Sequence, residues 1–74
     1  MILFKDLKEI KAAINYVRDV STSDNEDAHC TEDTVYISIL AYIAAGKCKT
    51  KVEMQKAAAL GVELSKLEYR RWYA

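Results

Sequence analysis

Proline is absent from this 74-residue chain, and glycine occurs only twice, at Gly46 and Gly61. So little turn-forming material, beside 51% hydrophobic residues, excludes a disordered or loop-rich chain and points to compact helical structure. Cysteine is scarce as well. Cys30 and Cys48 are too few for a disulfide-stapled secreted scaffold, and both are expected as free thiols. No apolar run approaches the roughly 20 residues of a membrane span. Met1-Ile2-Leu3-Phe4 is cut off by Lys5 and Asp6, too early for the core of a signal peptide. A cytoplasmic, single-domain protein with no membrane association is the expectation.

The chemistry of catalysis and of metal binding is thin. His29 is the single histidine, and neither a glycine-rich phosphate loop nor a nucleophile beside an evident base is present, so no enzyme activity and no cofactor are expected. His29, Cys30 and Cys48 lack the paired spacing of a structural zinc site. Asp24, Glu26, Asp27, Glu32 and Asp33 match a calcium loop in composition alone, without its turn glycine or alternating ligand positions. No metal site is expected.

Charge is balanced in sum and unbalanced in place. Residues 1–45 carry four basic against eight acidic side chains, net −4, and residues 46–74 carry seven against three, net +4. A basic C-terminal third suits a phosphate-facing surface, and equally suits packing against the acidic half.

Helix boundaries are marked by capping signals. Asp6 with Glu9 forms a potential capping box ahead of Leu7, Ile10, Ile14 and Val17, the stripe of an amphipathic helix over 7–20. Residues 21–31 lack apolar periodicity and read as an acidic polar loop. Thr31 is then the N-cap of a second helix over 32–45 that ends at Gly46. Val35, Tyr36, Ile37, Ile39, Leu40, Tyr42 and Ile43 make that helix apolar almost all round, hence central and buried. Its β-branched content also suits a strand; the cap, the glycine and the length favour helix. Thr50 with Glu53 opens a third helix over 51–60, and Ser65 with Glu68 opens a fourth over 65–73. The expected fold is therefore all-α, a bundle of four short helices. Its core should include Val52, Ala57, Leu60 and Leu67 besides the inward residues of the first two helices.

Ala57, then Leu60-Gly61-Val62, then Ser65 and Leu67 carry a more specific pattern: a small residue at a close crossing, a glycine at the turn, and apolar residues beneath it. Residues 53–72 on this basis resemble the helix-turn-helix motif of phage repressor and Cro-type DNA-binding proteins. The resemblance implies that the last two helices form a helix-turn-helix-like hairpin, with 65–73 as recognition helix. Ser65, Lys66 and Tyr69 would then face the major groove, and Arg70 and Arg71 the phosphates. Lys47, Lys49 and Lys51 would clamp the backbone from the start of the preceding helix. The function implied is a small transcription regulator bound to double-stranded DNA as a homodimer, its single-domain economy suiting a phage or plasmid product.

Neutral net charge favours an alternative, a small helical protein–protein interaction module acting as inhibitor or adaptor. Its surface would be the acidic segment 21–33, with Asp24, Glu26 and Asp27, or the aromatic C-terminus with Trp72 and Tyr73.

Overall fold

The computed structural model describes residues 1–67, which form three helices: α1 Leu7–Val20, α2 Asn25–Ala44 and α3 Lys51–Ser65. No strand occurs among the described residues. The described residues are all-α as expected, with three helices among them where four were expected of the whole chain. Residues 68–74, most of the expected fourth helix 65–73, lie outside the described part.

α1 forms where its signals place it. Asp6 Oδ1 accepts from the Glu9 amide at 3.0 Å, and Glu9 Oε1 accepts from the Lys5 amide at 2.7 Å. Two amide donors at the start of the chain's first helix are thereby satisfied. Ile10, Ile14 and Val17 are fully buried, each contributing roughly 1.5–3 kcal/mol of burial.

α2 begins at Asn25, seven residues before the expected start. The expected loop 21–31 is therefore reduced to its first four residues, and Thr31 lies inside the helix instead of capping it. The cap is Asp24, whose Oδ1 accepts from the Asp27 amide at 3.0 Å. Glu26 and Asp27 sit in the first turn, where the helix dipole favours negative charge. Ala28, buried at the first inward position, makes the added turns continuous with the core. α2 ends as expected at Gly46, whose φ of +75° is the left-handed conformation that closes the helix.

The inward seam of α2 is Ala28, Glu32, Val35, Ile39 and Tyr42, spaced four, three, four, three. Leu40, expected in the core, falls outside that seam and is 61% exposed. Val52, also expected inside, is exposed on α3. Their places are taken by Phe4, Tyr42, Cys48 and Leu64, all buried. Phe4 arrives with the N-terminal segment, which is tied down at two points. The Ile2 amide donates to Ser38 Oγ at 2.8 Å, and Lys47 Nζ donates to the Phe4 carbonyl at 2.8 Å.

α3 carries the largest departure. Leu60-Gly61-Val62 is not a turn; these residues continue one helix from Lys51 to Ser65 where a helix ending at 60 was expected, and all of the expected second helix 65–73 beyond Leu67 lies outside the described residues. Gly61 has no positive φ. Magnitudes explain the choice. A glycine inside a helix costs about 1 kcal/mol relative to alanine, whereas extending the helix past it brings Leu64 to full burial, worth roughly 1.5–3 kcal/mol. Ser65, expected as an N-cap, is the last residue of α3, and its hydroxyl donates to the Val62 carbonyl at 2.6 Å. The start of α3 is as expected: Thr50 Oγ1 accepts from the Glu53 amide at 3.1 Å.

Polar ties join the helices at their edges. Tyr16 donates to Asp27 Oδ2 at 2.8 Å between α1 and α2. Glu63 of α3 accepts from Lys11, and lies 3.4 Å from an Arg18 nitrogen, both on α1. The Lys11 hydrogen bond leads in holding the Glu63 carboxyl below its ordinary value of 4.5, against the opposing effect of desolvation.

The two glycines should respond oppositely to alanine. A Cβ at Gly61 would meet Ile39 Cδ1 at 3.9 Å, an ordinary contact, so Gly61→Ala should stabilise by about 0.5–1 kcal/mol in urea unfolding. Gly46→Ala should destabilise by about 1 kcal/mol, because alanine resists the positive φ. Destabilisation by Gly61→Ala would contradict the continuous helix. Glu63 predicts a pH dependence. Its lowered pKa in the folded state means that the ionised form stabilises the fold above the ordinary 4.5, a contribution lost as pH falls through the depressed value. The melting temperature of Glu63→Gln should lie below wild type at neutral pH, and the gap should close in acid. A gap that persists unchanged below the carboxylate range would remove this ion pair from the account.

Candidate functional site

Two surfaces stand out. The first is a groove of about 340 Å³ between α2 and α3, lined on one side by Tyr36, Ile39, Leu40 and Ile43 and on the other by Ala58, Gly61, Val62 and Ser65. It follows from the register of α2. The seam residues face α1 and α3, and a helix apolar on most of its circumference must then present the remainder elsewhere. Tyr36, Leu40 and Ile43 lie at three- and four-residue spacing on that remaining flank, with Ile37 beside them. Leu40, Ile37 and Val62 are 61%, 53% and 52% exposed. Across the groove α3 shows side chains no larger than valine, so the bulky row of α2 stands beside a shallow furrow.

The second surface is a basin of about 400 Å³ at the end of the bundle where α1 and α3 begin. Lys5, Lys8, Lys47 and Lys49 line it together with the cap residues Asp6 and Glu53. Four ammonium groups against two carboxylates leave a net positive rim. Glu53 accepts from the Lys49 amide, and the Lys47 ammonium is engaged with the Phe4 carbonyl. Lys5 and Lys8 were not among the residues singled out in the sequence. They join this basin because α1 and α3 start at the same end, a tertiary fact without a local signal.

The described sequence-derived candidates for DNA binding lie at the two ends of α3. Lys47, Lys49 and Lys51 lie just before and at the start of α3, whereas Ser65 and Lys66 lie at its other end, about 21 Å away along a helix rising 1.5 Å per residue. Tyr69, Arg70, Arg71, Trp72 and Tyr73 fall outside the described residues. Among the acidic candidates, Asp24 caps α2 and Asp27 accepts from Tyr16, so both serve the fold. Asp27 and Asp24 in turn hold the Tyr16 hydroxyl above its ordinary value, chiefly through the hydrogen bond from Tyr16 to Asp27. Glu26 is exposed on the first turn of α2.

Among the described residues, the groups able to offer metal ligands together are His29, Glu32 and Asp33, whose ligand atoms lie within 4.8 Å of one another. They occupy one flank of α2 by their three- and four-residue spacing, a relation the expected loop conformation of 21–31 concealed. His29 Nε2 lies 3.6 Å from Asp33 Oδ2. Neither cysteine belongs to the cluster: Cys30 is exposed, Cys48 is buried in the core, and both are free thiols.

Among the described residues, no helix is long and apolar enough to cross a membrane. No protein-family model, no curated protein and no solved structure matches this chain.

Proposed function

We propose that the chain is a small helical protein–protein interaction module whose working surface is the apolar face shared by α2 and α3. The observation that carries this reading is the outward exposure of Leu40 and Val62 on opposite sides of a groove whose other lining residues, Tyr36 and Ser65 apart, are apolar or glycine. Large apolar side chains gathered on one face are costly in water unless a partner covers them, and such patches mark interaction sites. The sequence placed such a surface at the acidic segment 21–33 or at the aromatic C-terminus, the latter outside the described residues; the reading proposed here uses the α2–α3 face. The reading is tested by using the chain as bait against a cellular extract, alongside Leu40→Glu and, as a control outside the groove, Val52→Glu. Proteins retained by wild type and by Val52→Glu should be lost with Leu40→Glu, while circular dichroism stays that of wild type. Identical capture by all three would contradict the reading.

A second reading is supported by the basic basin. Lys5, Lys8, Lys47 and Lys49 collected at one end are suited to a nucleic-acid backbone, and keep DNA binding as the alternative function. Fluorescence anisotropy with duplex DNA tests it. Affinity should fall steeply with salt, and Lys8→Glu with Lys49→Glu should flatten the slope by about one unit for each lost phosphate contact. No binding at low salt would end this reading.

A further inference from the structure

We propose that α2 carries a site for a divalent transition-metal ion of the zinc class, held by His29, Glu32 and Asp33; this does not rest on the interaction-module reading above. One imidazole and two carboxylates form a mixed donor set of the kind zinc takes where no thiolate is supplied. Their ligand atoms lie within 4.8 Å of one another. Positions 29, 32 and 33 fall within an arc of about 100° and about 6 Å of helix axis, so the three side chains leave one side of α2.

The separations suit a shared ion better than a direct hydrogen bond. His29 Nε2 stands 3.6 Å from Asp33 Oδ2, beyond the roughly 3.2 Å limit of a good N–H···O bond. Two ligands on a tetrahedral zinc, each roughly 2.0–2.2 Å from the ion, lie roughly 3.4 Å apart. The His29–Asp33 edge of such a site therefore already exists to within a few tenths of an ångström. The widest gap in the cluster closes with a shift of at most about 1.4 Å, within the reach of a rotating carboxylate.

Charge and burial favour the ion. Glu32 and Asp33 are like charges at neighbouring positions, and α2 adds Glu26 and Asp27 but neither lysine nor arginine. A divalent cation bound to both carboxylates turns their repulsion into attraction. Glu32 is only 4% exposed, where that attraction is least screened by water. The helix fixes the backbone of all three ligands before the ion arrives. Packing holds Glu32 and the half-buried His29, which leaves the exposed Asp33 as the ligand to be ordered. The imidazole sets selectivity: nitrogen suits zinc, copper and nickel, whereas magnesium and calcium take oxygen ligands. Three protein ligands leave a fourth tetrahedral position open to water.

Isothermal titration calorimetry of the full chain with zinc chloride, up to about 1 mM, tests the proposal. One ion per chain should bind, and magnesium in excess should not displace it. Asp33→Asn and His29→Gln should each weaken zinc binding at least tenfold, whereas Cys30→Ser and Glu26→Gln should leave it as in wild type. Because Asp33 is exposed, Asp33→Asn keeps its fold, and circular dichroism checks both ligand variants. Cobalt(II) in place of zinc should give the visible bands of an ion ligated by nitrogen and oxygen, without the near-ultraviolet band of a thiolate ligand. No zinc binding within that range, or binding indifferent to Asp33→Asn and His29→Gln, would overturn the proposal. Loss of binding with Cys30→Ser would overturn it too, by moving the ion to the thiol. Displacement by magnesium would reduce the cluster to a general acidic surface and equally end the proposal.

Discussion

The structure depends on one constraint, the register of α2 against its two neighbours. Ala28, Glu32, Val35, Ile39 and Tyr42 form the seam on which α1 and α3 both pack. α2 is apolar over more of its surface than two helices can cover. A choice of seam therefore fixes two things together: which side chains make the core, and which are left outside. With Ile39 inward, Leu40 must point some 100° away, and with it goes the flank of Ile37. The N-terminal segment covers a further part of α2 through Phe4 and the Ile2–Ser38 bond. What the other described residues leave uncovered is the groove. The candidate surface is thus a by-product of the packing that makes the fold stable, and needs no loop or insertion to build it.

The parts of this fold legible in the sequence are those decided locally. Asp6 with Glu9 and Thr50 with Glu53 announce helix starts because a cap and its amide lie within four residues. The stripe of α1 is legible because only one of its faces is apolar. α2 is not, for the opposite reason: an apolar residue on nearly every side gives the period nothing to select, and Leu40, Ile43 and Tyr42 are equivalent until neighbours arrive. The start of α2 at Asn25 is concealed by seven residues with Ala28 as their single buried aliphatic side chain, although Asp24 and Asp27 carry the cap. Gly61 misleads because glycine is ambiguous. It permits a turn and also tolerates a helix, and Leu64, three residues on, settles the matter through burial.

The candidate sites follow the same division. Lys47, Lys49 and Lys51 are legible as a basic cluster because they are close in sequence. Their company with Lys5 and Lys8 arises only when α1 and α3 begin at one end of the bundle. The separation of Lys51 from Lys66 depends on α3 being continuous. The flank of Leu40, Ile37 and Val62 is invisible without the register of α2, since every one of those residues suits a core equally well. A helix too apolar for its neighbours therefore underlies both the error in the expected core and the interaction surface proposed in its place.

That claim is tested most directly by comparing two adjacent residues of α2 in urea unfolding. Ile39→Ala should cost roughly 2–5 kcal/mol, the loss expected when a buried isoleucine leaves a cavity. Leu40→Ala should stay within about 0.5 kcal/mol of wild type, as surface substitutions do. Equal losses at the two positions, or a larger one at Leu40, would contradict the register on which the core and the groove both rest.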